Sequence, residues 1–148
     1  MAFAAKNIII TFAKNYTLND GENEGRQGLE NIGSGAFSDC SALEAINVVN
    51  SNLYYSSFEG VLFNKEKTEL ISCPVGKSGE SYTIPESVTE IASKAFYSCS
   101  KLENIVIGDN VKIIGDSVFY NCSSLTGINI GEKVTSIGSL AFYNCTSL

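Results

Sequence analysis

The chain has no histidine, an excess of acid over base, and no long apolar run. Without an imidazole, neither a His-centred catalytic triad nor a zinc site with His ligands can be assembled. Only 10 lysines and arginines stand against 16 acidic residues, a net charge of -6. That balance argues against a nucleic-acid surface, which needs a basic stripe, and against attraction to anionic membranes. The most apolar stretch is Ile8-Ile9-Ile10-Thr11-Phe12, between Lys6 and Lys14. It is far shorter than the roughly 18 residues of a membrane span and shorter than the roughly 7–15 of a signal-peptide core. Neither membrane insertion nor export is therefore expected from the chain as it stands. Also missing are a nucleophile–base pair, a phosphate-cradling glycine loop and a metal-ligand cluster. With its Asp and Glu residues scattered over outward positions, the chain is not expected to be an enzyme or to hold a cofactor or metal.

What is present is a repeat. The 148 residues, 44% apolar and 18% charged, suffice for one globular domain. Ile84/Ile107/Ile130, Phe96/Phe119/Phe142, Cys99/Cys122/Cys145 and Leu102/Leu125/Leu148 all recur at 23 residues. A fixed period in the range of about 20–50 residues is the mark of a solenoid, whose coils bury their apolar faces only by stacking. A fourth copy lies upstream: Leu29, Ile32, Phe37, Cys40, Leu43 and Ile46 precede Val88, Ile91, Phe96, Cys99, Leu102 and Ile105 by 59 residues. The offset is 59 rather than 23, so one intervening coil is replaced by a 36-residue segment. The expected organisation is a cap or degenerate coil over 1–28, a repeat at 29–48, an expanded coil at 49–83, and repeats at 84–106, 107–129 and 130–148. The chain stops at Leu148, where earlier copies begin a strand. It reads as a piece of a longer protein, with an open last coil able to pair end to end with another copy.

Within a copy, Leu102-x-x-Ile105-x-Ile107 alternates as a strand does, and Val111-x-x-Ile114 supplies a second short extended piece. Gly115-Asp116-Ser117-Val118-Phe119 then reads as a bend entering one helical turn, with Ser34, Ser93, Asp116 and Ser139 at its N-cap. Asn121-Cys122-Ser123 closes the coil with short polar side chains. The expected class is α/β: a solenoid of short parallel strands and one-turn helices. Phe58 to Asn64 and Glu69 to Pro74, joined by the polar Lys65-Glu66-Lys67-Thr68, read as a β-hairpin inserted in the expanded coil. Tyr82-Thr83-Ile84 re-enters the ladder. Ile8 to Phe12 is a candidate edge strand capping the N-terminal end, with a polar loop from Thr17 to Gly28.

Val134-Thr135-Ser136-Ile137-Gly138-Ser139-Leu140-Ala141-Phe142-Tyr143-Asn144-Cys145-Thr146-Ser147-Leu148 resembles the BspA-like class of leucine-rich repeats, with its pattern I-P-x-S-V-T-x-I-G-x-x-A-F-x-x-C-x-x-L. Residues 29–48 and 84–148 carry the match; Gly108 and Gly131 replace the proline seen at Pro85, and Val118 the usual alanine. The resemblance implies a leucine-rich-repeat solenoid in a surface or secreted protein, so an extracellular or cell-surface location. It implies a non-enzymatic module that binds a protein ligand, including adhesion to host or neighbouring-cell proteins. The alternative is a structural spacer or stalk that displays another domain.

Several side chains invite chemical readings. Cys40, Cys99, Cys122 and Cys145 share one repeat position, as a column of free core thiols or, with poorer geometry, disulfides. Cys73, outside the column, is the expected exposed thiol. Asp20-Gly21-Glu22-Asn23-Glu24 lacks the ligand order of an EF-hand and reads as a solvated loop. Asn15-Tyr16-Thr17, Asn121-Cys122-Ser123 and Asn144-Cys145-Thr146 fit the N-glycosylation spacing, but the last two fall on the turn that closes the coil. For protein binding, the outward strand positions Ala45/Asn47, Asn104/Val106 and Gly127/Asn129 form one candidate face. Tyr54, Tyr55 and Phe58 form a second, unless they cover the hairpin's own small core.

Overall fold

Coils that stack must share backbone hydrogen bonds with their neighbours, and the arrangement of strands shows where. A computed structural model describes residues 7–10 and 31–148. In chain order its strands are β1 (Asn7–Ile10), β2 (Ala45–Val48), β3 (Tyr55–Phe58), β4 (Val61–Asn64), β5 (Glu69–Ser72), β6 (Ser81–Thr83), β7 (Glu90–Ile91), β8 (Asn104–Val106), β9 (Ile113–Ile114), β10 (Gly127–Asn129) and β11 (Ser136–Ile137). Two parallel ladders run through the repeats, β6-β8-β10 and β5-β7-β9-β11. Register pairs Tyr82 with Ile105 and Ile105 with Ile128, and likewise Leu70 with Ile91 and Ile91 with Ile114. The result is a β-solenoid of about three turns.

The expected one-turn helices do not form; among the described residues the segments after β7, β9 and β11 are successive turns. Their amides divide. Ala95, Tyr97 and Cys99 donate three residues back, to Ala92, Lys94 and Phe96, at 3.1 Å each. Lys94, Phe96 and Ser98 donate instead to Asp116, Val118 and Tyr120 of the next coil, at 2.9, 3.0 and 2.8 Å. An α-helix needs every amide to return four residues along its own chain, so this alternation excludes one. It also forces left-handed backbone at Lys94 and Ser98, and again at Ser117, Asn121, Leu140 and Asn144. In the upstream copy the counterpart of Lys94 is Gly35, with φ 71°, where glycine carries no steric cost. The supposed N-caps serve the neighbouring coil: Asp116 N–H donates to Ser93 Oγ at 3.0 Å, and Ser139 N–H to Asp116 Oδ1 at 2.7 Å.

The core is the predicted set of rungs. Phe96 and Phe119 are wholly buried, with ring centroids 5.3 Å apart, and Phe119 and Phe142 repeat that spacing. The expanded coil has no matching phenylalanine. Tyr82 fills the gap, tilting onto Phe96 at 5.9 Å.

The hairpin is more than an insertion. It becomes the three-stranded antiparallel meander β3-β4-β5, and β5 is at once its last strand and the first rung of a parallel ladder. The β4–β5 turn falls on the expected Lys65–Thr68 segment, held by Asn64 Oδ1, which accepts from the Thr68 and Glu69 amides at 2.8 and 3.0 Å. Glu59 and Gly60, both at positive φ, close β3–β4 as a two-residue turn matched to strand twist. Val61 and Phe63 enter the main core, whereas Leu62 joins Leu43, Ile46 and Tyr55 in a second cluster. The β4 strand is thus a wall with a core on each side.

At the N-terminal side β1 pairs in parallel with β2, Ile8 opposite Ile46, as an edge strand over Asn7–Ile10. Phe12, the acidic loop 20–24 and the Asn15 motif lie outside the described residues.

A buried phenylalanine cut to alanine costs about 3–5 kcal/mol. Phe119→Ala, flanked by rings on both sides, is expected to lie in that range, and half-buried Phe142→Ala below it. Denaturant unfolding of the two variants compares them directly.

Candidate protein-binding face

In β6, β8 and β10 the inward Tyr82, Ile105 and Ile128 leave their neighbours facing solvent, as strand alternation requires. Ser81, Thr83, Asn104 and Asn129 are exposed, Val106 is 37% exposed and Gly127 is half-buried. The face therefore joins Asn104, Val106 and Asn129 as expected and adds Ser81 and Thr83. The 23-residue step from Tyr82 to Ile105 would have revealed these two.

Asn47 is exposed too, but it lies on β2, which pairs with β1 and not with β6. The hairpin tip intervenes: the Ile46 amide donates to Gly60 O at 2.8 Å, and a side chain at Gly60 would strike Ala45 Cβ at 2.9 Å. The expected face is thus broken between β2 and β6. In the break lies a shallow cleft of about 510 Å³, lined by Phe58 and Glu59 on one side and Ser81 to Glu86 on the other.

The aromatic set is split by β3. Tyr55 is 6% exposed within the second core cluster, which removes it as a surface candidate. Phe58, 45% exposed, stands on the cleft beside β6, with Lys67 Nζ 5.4 Å from its ring centroid. Tyr54, 38% exposed, lines a different cleft with Asn64, Glu69, Glu90 and Ser93. There Glu69 and Glu90 are register partners. Burial first, and the Glu90 charge second, raise the Glu69 carboxyl above its usual pKa.

A third surface was not foreseen. Tyr97, Tyr120 and Tyr143 stack along the turns at 4.9 and 4.8 Å, with Lys94 Nζ 5.9 Å from the first ring. The same turns hold the two asparagines of the glycosylation pattern, Asn144 Nδ2 donating to Asn121 Oδ1 at 2.8 Å. Spacing alone carried this signal, one position after each Phe.

The cysteines differ from expectation at two places. Cys73 is 2% exposed, and its amide donates to Ala95 O at 2.7 Å. That bond seats it beneath Cys99, in the place predicted for Cys40, and Cys40 is exposed. No cysteine is bridged. Cys122 Sγ donates to Phe96 O at 3.1 Å and Cys145 Sγ to Phe119 O at 3.0 Å, each one coil back. Burial raises the Cys122 and Cys145 thiols, the latter less deeply covered.

A profile of the BspA type leucine-rich repeat region matches residues 11–77 and 75–148, in six copies. The chain belongs to that family. Among solved structures, this BspA-type chain is similar to a leucine-rich repeat protein from Eubacterium ventriosum, with 34% identity over 97% of this chain and 34% of that one, TM-score 0.82. It is similar to a leucine-rich cell surface protein from Faecalibacterium prausnitzii, with 30% identity over 98% and 35%, TM-score 0.79. The pneumococcal vaccine antigen PcpA matches at 28% identity over 93% and 30%, TM-score 0.79. The chain thus spans about a third of the length of these proteins. No curated protein sequence matches it. Leucine-rich repeats of this kind are generally protein-interaction modules, and no helix among the described residues is long and apolar enough to cross a membrane.

Two outcomes test this geometry. A raised carboxyl pKa means stability that is present at low pH and lost as pH rises through the folded-state value. Glu69→Gln should therefore stabilise the fold at neutral pH, with the gain vanishing below the ordinary glutamate pKa, as read from thermal melts across pH. Because only a thiolate attacks, maleimide should label Cys40 first and Cys145 later. Cys73, Cys99 and Cys122 should react only on unfolding, as read by peptide mass mapping.

Proposed function

We propose that this chain is a non-enzymatic protein-recognition segment of a bacterial cell-surface or secreted protein, contacting its ligand through the outward face of β6-β8-β10. The observation that carries this reading is the face itself: Ser81, Thr83, Asn104, Val106 and Asn129 give a flat, uncharged surface. It adjoins the Phe58 cleft, where an exposed aromatic can anchor a partner. The cell-surface and antigen descriptions of two similar proteins support the location. The cleft is also what favours recognition over a spacer role. A stalk needs only an unbroken ladder, whereas here the ladder is interrupted by a hairpin tip.

The test is binding of the immobilised chain to a panel of extracellular-matrix proteins, beside Asn104→Arg combined with Asn129→Arg. Both sites are exposed, so melting should be unchanged. Affinity for a bound matrix protein should fall by about tenfold or more, as for the loss of a well-packed contact. Undiminished binding by the double variant would place the site elsewhere.

A further inference from the structure

We propose that the occupant of this face is a basic protein segment, with an arginine side chain entering the cleft between Phe58 and β6. The inference rests on the recognition reading above and names the chemistry of the partner.

The face is uncharged, but its borders are not. Glu80 and Glu103 immediately precede β6 and β8, and the Glu103 amide donates to Glu80 O at 3.2 Å, so the two sit on adjacent coils. Glu86, Asp109 and Glu132 follow the three strands at the corner toward the second sheet, spaced by the same 23 residues. Asn110 Nδ2 donates to Glu86 O at 2.9 Å, and Lys133 Nζ to Asn110 Oδ1 at 3.0 Å, which holds these corners side by side. Glu59, on the hairpin tip, closes a third border. All six carboxylate residues are exposed. Like charges one strand spacing apart repel, and an incoming cation relieves that repulsion.

The lysines of this side bond neutral oxygens. Lys77 Nζ donates to the backbone O of Glu59 at 2.6 Å, Lys101 Nζ to Gly76 O at 3.4 Å, and Lys133 to the Asn110 amide as above. Those bonds leave the acidic borders to be balanced from outside. The cleft suits one cation in particular. Phe58 supplies an aromatic wall, and Glu59 and Glu86 supply carboxylates at its two sides. A planar guanidinium both stacks on rings and forks onto carboxylates, which an ammonium does not.

The experiment titrates the nitrogen-15-labelled chain with a peptide alternating arginine and serine, and with a glutamine–serine peptide of equal length. Amide shifts should concentrate on Ser81, Thr83, Asn104, Val106 and Asn129 with the arginine peptide alone. Glu59→Gln combined with Glu86→Gln should weaken its affinity by about tenfold. Asp39→Asn combined with Glu66→Gln removes the same charge elsewhere and should leave it nearly unchanged. Equal loss in both pairs, shifts centred on Glu69 and Glu90, or no shifts at all would overturn the proposal. If the glutamine peptide occupies the same face as tightly, the basic partner falls while the recognition reading stands. A silent arginine peptide beside matrix-protein binding that Asn104→Arg with Asn129→Arg abolishes has the same meaning.

Discussion

Everything in this molecule follows from how the turn amides are shared. Half of them close the turn they belong to, and half reach the next coil. The first half sets the tight curvature; the second fixes the spacing at which Phe96, Phe119 and Phe142 come into ring contact. A helix in that place would keep all its amides to itself and leave the coils joined by side chains alone. The backbone accepts left-handed residues to avoid this, even at Lys94 and Leu140, where the side chain gives no help.

The expanded coil solves a different problem. A plain ladder of identical rungs presents a featureless side, and the segment between Asn52 and Ser81 breaks it. Asn52, buried at 1% exposure, accepts the Tyr54 and Tyr55 amides on Oδ1 at 2.9 and 2.8 Å and so launches β3. The strands that follow close off one core and open another. Their tip separates β2 from β6 and leaves the Phe58 cleft. The same insertion that interrupts the sheet thus gives its outer face an edge and a pocket.

The ladder was legible because Ile, Phe, Cys and Leu at one spacing are four independent signals of one register. The turns were not, since a left-handed residue announces itself only as glycine, as at Gly35, and serine, lysine and leucine hold the equivalent places elsewhere. Cys73 was misjudged because it sits 26 residues before Cys99, and an insertion that shortens one side of its coil shifts the column off period. Asn47 shared the pattern of Asn104 but not its sheet, because sequence spacing does not say what slips between two strands. Tyr54, Tyr55 and Phe58 pointed correctly to a surface near the hairpin. Which ring stays outside depended on β3 pairing with β4, which the Glu59-Gly60 turn determines.

The wall formed by β4 has an evolutionary corollary. In a quasi-linear array each module answers mainly to its nearest neighbours. Here the residues upstream of the wall seal a core of their own around Leu43, Ile46, Tyr55 and Leu62. Duplication or loss of whole 23-residue modules beyond Ile84 therefore leaves that seal intact. The hairpin acts as a bulkhead, behind which a lineage can lengthen or shorten the array without renegotiating its beginning.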